Sequence, residues 1–256
     1  MFKYMEPLYK ENMILTAQVL QEHTDFAYQL VKNVYADYSD GIISGVEIAI
    51  TDAYIQVKPG LIKHNQILYS LKETIHIPYE HRDARTYLRI RFLDALERDG
   101  SVCYETDLVL SEDAAEFPYE MELGRFIASN GATLYKNETD FFKLAVAYDN
   151  FDIRYVKYAA IKEPTISPVV TTLFGKELMK KHTTDVYDVA FAMQCMSRQP
   201  IAREVIVNYI QEKIHKKFET ISNEQIYIEL EKILRQPVMQ GRFQTREQPF
   251  RKIIVD

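Results

Sequence analysis

The chain has 256 residues, of which 47% are hydrophobic and 27% are charged, and its formal net charge is −6. These proportions are typical of a globular protein, and a chain of this length accommodates one large core or two modest ones, so two domains are expected. The negative net charge opposes nonspecific attraction to a polyanion, so nucleic acid is not expected among the partners.

Membrane insertion and a disulfide framework are both disfavoured. No run of about 18 consecutive apolar residues occurs, so no membrane span is expected. Glu6 falls where a signal peptide would begin its hydrophobic segment, and we expect the product to remain at first in the cytoplasm. Cys103 and Cys195 are the only cysteines, and they form neither a C-x-x-C nor a metal-ligand pattern, so buried free thiols are predicted.

The first predicted element is a long helix from Thr16 to Tyr38. Its apolar residues recur at spacings of three and four, the period of a helix with one buried face. They are Val19, Leu20, Phe26, Ala27, Leu30, Val31, Val34 and Tyr38. Asp40-Gly41 supplies turn chemistry and a residue that tolerates the left-handed conformation, so the helix is predicted to end there. His23 lies on the buried side and is interpreted as a core residue.

The period changes to two after Gly41, which predicts a compact antiparallel unit. Its four strands are predicted at Ile42 to Ile50, Tyr54 to Lys58, Gln66 to Lys72 and Thr74 to Ile77. Turns between these short segments are assigned to Gly41, Gly45, Pro59 and Gly60. Two further half-buried strands are predicted at Thr86 to Asp94 and Ser101 to Leu110.

A further hairpin is predicted around Asn130-Gly131, the strongest short-range signal for a two-residue turn. Its strands would be Met121 to Ser129 and Ala132 to Tyr135. Phe151 to Tyr158 is a candidate for one more strand, whereas Asp140 to Tyr148 is compatible with either a helix or a loop.

About four helices are predicted from Ser167 onward. Ser167-Pro168 is typical of an N-cap followed by proline at the first helical position, and Ser222 with Gln225 forms a capping box. Asp185 to Arg198 and Pro200 to Phe218 supply the helices between them. The fold class is therefore α+β. The predicted divisions are an N-terminal segment and helix (1–40), a β-rich domain (41–160), a helical domain (161–236) and an extended arm (237–256).

The arm is interrupted by proline and glycine and is mildly basic. We predict that it binds a neighbouring protein, since its apolar tip could add to another subunit's sheet edge. The residues assigned to this contact are Arg242, Arg246, Arg251, Ile253, Ile254 and Val255. The alternative is that the arm packs back on the chain's own β domain.

No catalytic, cofactor-binding or metal-binding residue is predicted, and the chain is interpreted as a non-enzyme. Gly175-Lys176 is followed by Glu177 and lacks the earlier glycine of a phosphate-binding loop. The spacing of His76 and His81 suits neither adjacent helical turns nor one strand face, so a metal site with His64 is not favoured. The acidic run from Glu105 to Glu122 is either a solvated loop or a docking face for a basic partner.

Several motifs resemble a known family. The strand Asp40 to Gly45, with the pattern D-G-I-x-S-G, and the turn Val57 to Gly60, with the pattern V-x-P-G, are similar to a β module of phage baseplate and tail-fibre proteins. Further similarities are found at Glu122 to Phe126 with its Asn130-Gly131 turn, at Asp188 to Cys195 and at Pro200 to Glu204. Together these segments resemble a tail-associated family of Gram-positive prophages and phage-tail-like bacteriocins.

The resemblance implies a structural subunit at the baseplate or fibre-attachment end of a contractile tail. Its expected partners are other baseplate, tail or fibre proteins, with several copies in each particle, and its expected location is the bacterial cytoplasm and then the particle. Two alternatives come from other classes: a nucleic-acid-handling ATPase, which ATP titration would identify, and a carbohydrate-binding fibre module, which glycan binding would identify.

Overall fold

A computed structural model of the protein describes residues 16–116 and 118–237. The helices in this part of the chain are α1 (Ala17–Val34), α2 (Pro168–Lys180), α3 (Val186–Cys195), α4 (Arg203–Ile214), α5 (Asn223–Arg235) and a short 3₁₀ helix (Phe141–Ala145). The strands are β1 (Gly41–Gly45), β2 (Ile48–Ile50), β3 (Tyr54–Val57), β4 (Gly60–His64), β5 (Ile67–Leu71), β6 (Ile75–Pro78), β7 (Arg85–Phe92), β8 (Leu96–Arg98), β9 (Ser101–Cys103), β10 (Thr106–Ser111) and β11 (Glu120–Ile127). The predicted α+β class is confirmed.

The strands form small antiparallel sheets. Their orders are β1-β4-β5, β2-β3-β6 and β10-β7-β11, and β8 pairs with β9 alone. The predicted strand Ile42 to Ile50 is divided because Val46 adopts φ 54 between β1 and β2. Strand β4 was missed, because Pro59-Gly60 indicates a turn but does not show that a strand starts at the glycine itself.

Gly41 does not close α1, contrary to the sequence prediction. The helix ends at Val34, and Gly41 begins β1 with φ 144. The N–H of Ile42 donates to the carbonyl of Lys157 at 3.0 Å, and the N–H of Ala159 donates to the carbonyl of Ile42 at 2.8 Å. Glycine is required here because two backbone segments approach closely, and not because a helix must stop.

A turn forms at Asn130-Gly131, but the two strands predicted on either side of it do not pair with each other. The N–H of Ala132 donates to the carbonyl of Ser129 at 3.2 Å, and Gly131 has φ 79. Asn130 has no positive φ, so the turn has the type II pattern rather than the hairpin type I′ pattern. Strand β11 pairs with β7 instead, a partner distant in sequence that turn chemistry cannot reveal.

The substitution Gly131→Val tests this turn. We expect it to lower the free energy of unfolding by about 1 to 2 kcal/mol, the usual cost of forcing a residue with a Cβ into left-handed backbone. A Cβ at this position would meet nothing within 4 Å, so steric overlap adds little. Urea denaturation measures the change, and an unaltered midpoint would show that the positive φ is not required.

The predicted caps of the helical region are confirmed. Ser167 Oγ accepts from the N–H of Val169 at 3.3 Å, and Ser222 with Gln225 forms both hydrogen bonds of a capping box. In α2, Gly175 packs against α3, where a Cβ would lie 2.8 Å from the carbonyl oxygen of Ala192. The Gly175-Lys176 pair is therefore a helix-packing position inside α2.

The helical region is tied to the β-rich region by buried contacts. The Tyr227 hydroxyl donates to the carbonyl of Phe141 at 3.0 Å, and its ring stacks on the Phe141 ring at 4.8 Å. The Asn223 side-chain amide donates to the carbonyl of Val156 at 2.9 Å. The apolar core is consequently continuous between the two regions.

The two remaining segments are less regular than strands or α-helices. The candidate strand at Phe151 to Tyr158 contains only isolated bridges, at Asp152 and Tyr158. The ambiguous segment after Asp140 contains the short 3₁₀ helix, whose N-cap is the Asp140 carboxylate accepting from the N–H of Phe142 at 2.9 Å.

Candidate assembly surface

Helix α1 exposes apolar side chains that the sequence pattern predicted to be buried. Leu30 is 54% exposed, Val34 57%, Val31 41% and Tyr28 63%. Phe26 is also an exposed side chain. The prediction of a buried face is therefore wrong for Phe26, Leu30, Val31 and Val34, because periodicity shows which face is apolar and not what covers it. Tyr28 was not among the residues predicted to be buried. The side chain of His23 lies outside the described part of the chain, and its core position stays a prediction.

The C-terminal end of α1 is held by a buried lysine. Lys63 of β4 is 2% exposed, and its Nζ donates to the carbonyls of Tyr35 at 2.6 Å, Ala36 at 3.0 Å and Tyr38 at 2.7 Å. These carbonyls follow the last turn of α1, where unsatisfied acceptors and the negative end of the helix dipole both favour a cation. The root of α1 is thus fixed to the β-rich region.

A second contact next to Lys63 fixes the chain that follows α1. The Asp40 carboxylate accepts from the N–H of Asn65 at 3.1 Å and lies 3.5 Å from Nδ1 of His64. The His64 ring stacks on Phe92 at 3.7 Å between centroids. Burial lowers the pKa of His64 below its ordinary 6.5, and the negative charge of Asp40 opposes this shift. Burial therefore favours the neutral imidazole, which packs against the Phe92 ring.

The other histidines considered as metal ligands are engaged separately. His76 makes an edge contact with Tyr54 at 6.3 Å, and Nδ1 of His81 lies 3.0 Å from the carbonyl oxygen of Ser129. Among the described residues, no group of three His, Cys, Asp or Glu side chains has the geometry to hold a metal ion.

A groove runs between α1 and the β4–β5 hairpin. Its volume is about 380 Å³, and Ala27 and Val31 of α1 face Leu61 and Leu68 of the hairpin across it. Lys32 and Lys63 also line it. We call this feature the α1 groove. It adjoins the exposed row formed by Leu30 and Val34, so α1 presents a groove and a ridge on neighbouring sides.

The ribbon formed by β8 and β9 is a second exposed apolar element. Leu96, Val102 and Tyr104 are exposed on it or at its base, and Asp99-Gly100 at its tip has φ 50 and 75. The sequence prediction of one half-buried strand from Ser101 to Leu110 is wrong, because the strand is interrupted after Cys103 and its first part is exposed. Two paired strands alone bury little apolar area, which favours contact with another molecule.

The acidic run from Glu105 to Glu122 was expected to be either a solvated loop or an acidic docking face, and it fits neither description fully. It contributes to β10 and β11, and Glu120 pairs with Arg89 at 2.5 Å and with Arg91 at 3.0 Å. Glu122 pairs with Arg125 at 2.6 Å. Arginines from β7 and from β11 itself neutralise part of the run, so its charge in the fold is smaller than its sequence indicates.

The ion pairs of Glu120 predict a measurable pH dependence. Burial acts to raise its pKa, but the N–H of Glu116 and the two arginines lower the pKa more, to a value below the ordinary 4.5. A depressed folded-state pKa stabilises the fold above pH 4.5, and this stabilisation is lost as the pH falls through the folded-state value. We expect the unfolding free energy of Glu120→Gln to depend less steeply on pH below 4.5 than that of the wild type. Parallel slopes in urea titrations would contradict this.

The end of α5 is held in the same manner as the end of α1. Nζ of Lys181 donates to the carbonyls of Ile233 at 3.3 Å, Leu234 at 2.7 Å and Gln236 at 2.5 Å. The exit of the chain toward the predicted arm is therefore fixed. The arm residues Arg242, Arg246, Arg251, Ile253, Ile254 and Val255 lie outside the described residues, and their binding role stays a prediction.

Solved structures include one that is similar to this chain in fold, whereas sequence comparisons find no relative. No protein-family model matches the chain, and no curated protein matches it. The crystal structure of TssK is similar with a TM-score of 0.41 and 9% identity, over 89% of this chain and 69% of that chain. Within residues 16–116 and 118–237, no helix is long and apolar enough to cross a bilayer.

Proposed function

We propose that this chain is a structural subunit of a contractile phage-type tail, located at the baseplate or fibre-attachment end, and that it acts by protein–protein assembly. The proposal needs no catalytic residue, cofactor or metal. It places the chain in the bacterial cytoplasm before assembly and in the particle afterwards, where it contacts other baseplate or fibre proteins.

The observation that carries this proposal is the exposed apolar face of α1. Leu30, Val31 and Val34 are all more than a third exposed on a helix whose root is fixed by Lys63. A contiguous apolar surface of this kind is unfavourable in water and is typical of a protein-interaction site. Because the root of the helix is held, a partner need not order it first, and this reduces the entropic cost of binding.

Two further features support the same function. The motifs D-G-I-x-S-G at Asp40 to Gly45 and V-x-P-G at Val57 to Gly60 resemble those of baseplate and tail-fibre proteins. In the fold, the glycines of these motifs lie at Gly41, Gly45 and Gly60, where β1 and β4 pair closely. The exposed ribbon of β8 and β9 supplies another surface for a neighbouring subunit.

Particle incorporation tests the proposal. A tagged double variant, Leu30→Gln with Val34→Gln, retains side chains that are compatible with a helix but removes the apolar row. Met193→Gln is the control, since Met193 is an exposed apolar residue on α3. We expect the wild type and the control to co-sediment with particles from the producing cells and the double variant to be depleted by about tenfold or more, which corresponds to about 1.4 kcal/mol.

The two components of the proposal fail in different ways. Absence of the wild-type chain from purified particles would contradict the tail function. Normal incorporation of the double variant would contradict the role of α1. Circular dichroism of all three proteins establishes that any depletion does not come from unfolding.

A further inference from the structure

We infer that the apolar tip of the C-terminal arm, Ile253 to Val255, binds beside strand β2 of the same chain as an added strand. Its receptor is an opening next to β2, which we call the β2 cleft. The arm then packs on the chain's own β domain, which is the second of the two arrangements considered from the sequence. The proposed tail function does not depend on this contact.

The β2 cleft is an apolar opening in the β-rich region. Its volume is about 530 Å³, which lies in the range of pockets that hold a ligand. Its walls include side chains that belong to the core and are at most 5% exposed, namely Ile42, Leu123, Ile153 and Val156. An apolar segment that filled the opening would therefore extend the core and remove further apolar area from water.

One side of the cleft is β2, which is an edge strand of the β2-β3-β6 sheet in the described part of the chain. The N–H of Lys58 donates to the carbonyl of Glu47 at 2.9 Å, so the backbone groups of Glu47 and, two residues on, of Ala49 face β3. The backbone groups of Ile48 and Ile50 consequently point toward the free edge. Such an edge is a template for pairing with another extended segment.

Lys136 lines the cleft and limits how a strand can be added. Its Nζ donates to the carbonyl of Ile48 at 2.9 Å and lies 2.6 Å from Oε1 of Glu138. Because the lysine occupies this carbonyl, an added strand would pair with the N–H groups of Ile48 and Ile50 and with the carbonyl of Ile50. Three groups suit a short segment such as the tip of the arm.

The tip has the composition that such a site requires. Ile253, Ile254 and Val255 are all β-branched, and residues of this type favour extended backbone. Alternate side chains of a strand point to the same face. Ile253 and Val255 would therefore enter the cleft together, and Ile254 would point away from it.

The described chain ends close enough for the tip to reach the cleft of its own molecule. The Arg235 guanidinium, in the last turn of α5, lies 5.2 Å from the centroid of the Phe142 ring. Phe142 comes four residues after Glu138, which lines the cleft, and this span is at most about 14 Å. Residues 238–252 can span up to about 50 Å. Attachment to the same chain gives the tip a high effective concentration at the cleft, which favours it over a separate molecule.

Residue-resolved hydrogen exchange in β2 tests the inference. The isolated full chain is compared, at several protein concentrations, with a variant that ends at Lys252. We expect the amides of Ile48 and Ile50 to exchange about tenfold or more slowly in the full chain, the change that 1.4 kcal/mol of local stability produces. The amide of Ala49, which faces β3, is the internal control and should exchange equally in both proteins.

Two substitutions in the full chain test the orientation of the tip. Val255→Asp would place a charge in the apolar cleft, so it should remove the protection of Ile48 and Ile50 as the deletion does. Ile254→Asp is the matched control, because its side chain would remain in water, and the protection should persist.

Three results would overturn the inference. Equally fast exchange of Ile48 and Ile50 with and without the tip would show that the tip does not pair with β2. Protection that develops only at high protein concentration would assign the tip to a neighbouring chain. Equal effects of Val255→Asp and Ile254→Asp would contradict the insertion of Val255 into the cleft. Each of these results leaves the proposed role of α1 unchanged, because the measurements concern β2 in the isolated chain.

Discussion

Replacement of Gly41 by alanine is expected to lower the free energy of unfolding by about 2 to 5 kcal/mol, the sum of backbone strain and overpacking. Gly41 has φ 144, and a Cβ there would lie 2.7 Å from the backbone N of Ala159 and 2.8 Å from the backbone C of Tyr158. Both are backbone atoms of a segment that is hydrogen-bonded to β1, so neither can move without breaking those bonds. The change is measured by urea denaturation.

Gly100→Ala is the matched control for this substitution. Gly100 also has a positive φ, 75, but a Cβ there would meet nothing within 4 Å. Only the backbone strain of about 1 to 2 kcal/mol applies, so the loss should be clearly smaller than at Gly41. Equal losses for the two variants would show that β1 and the segment near Ala159 do not approach as closely as described.

Replacement of Lys63 by methionine is expected to lower the free energy of unfolding by about 2 to 4 kcal/mol. Hydrogen bonds to a charged group contribute about 1.5 to 3 kcal/mol, and carbonyls left without donors add to the loss. Relief of the desolvation of a buried ammonium partly offsets it. We also expect faster hydrogen exchange in α1, because its root would no longer be fixed to β4.

Lys58→Met is the control for Lys63→Met. Lys58 pairs with Glu47 at 3.1 Å, but both side chains are well exposed to solvent. An exposed pair contributes about 0 to 1 kcal/mol, and its removal should leave exchange in α1 unchanged. If Lys63→Met behaves like Lys58→Met in both measurements, the lysine does not anchor the helix.

Signals between residues close in sequence were sufficient to predict part of the fold. The caps at Ser167 and Ser222 join groups within three residues of each other, and both predicted helix starts are confirmed. The prediction of a hairpin at Asn130-Gly131 was wrong because β11 pairs with β7, and this pairing depends on side chains more than 30 residues away in the sequence. Arg89 and Glu120 illustrate this, since their ion pair lies across those two strands.

For the candidate surface, the sequence predicted which side chains of α1 are apolar, but it did not predict that they are exposed. The spacing of Leu30 and Val34 identified an apolar helix face, but sequence periodicity is the same whether that face meets the chain's own core or another molecule. Lys63 was not identified at all, because a single lysine in a strand gives no indication that the carbonyls just after α1, 25 to 28 residues earlier, surround its ammonium.

Hydrogen exchange in α1, compared between the isolated chain and the chain within purified particles, tests the assembly role of this helix most directly. If another molecule covers its apolar face in the particle, amides of residues 17–34 should be clearly more protected in the particle than in the isolated chain. Protection that is equally strong in both states would show that the chain covers this face by itself, and would contradict the account.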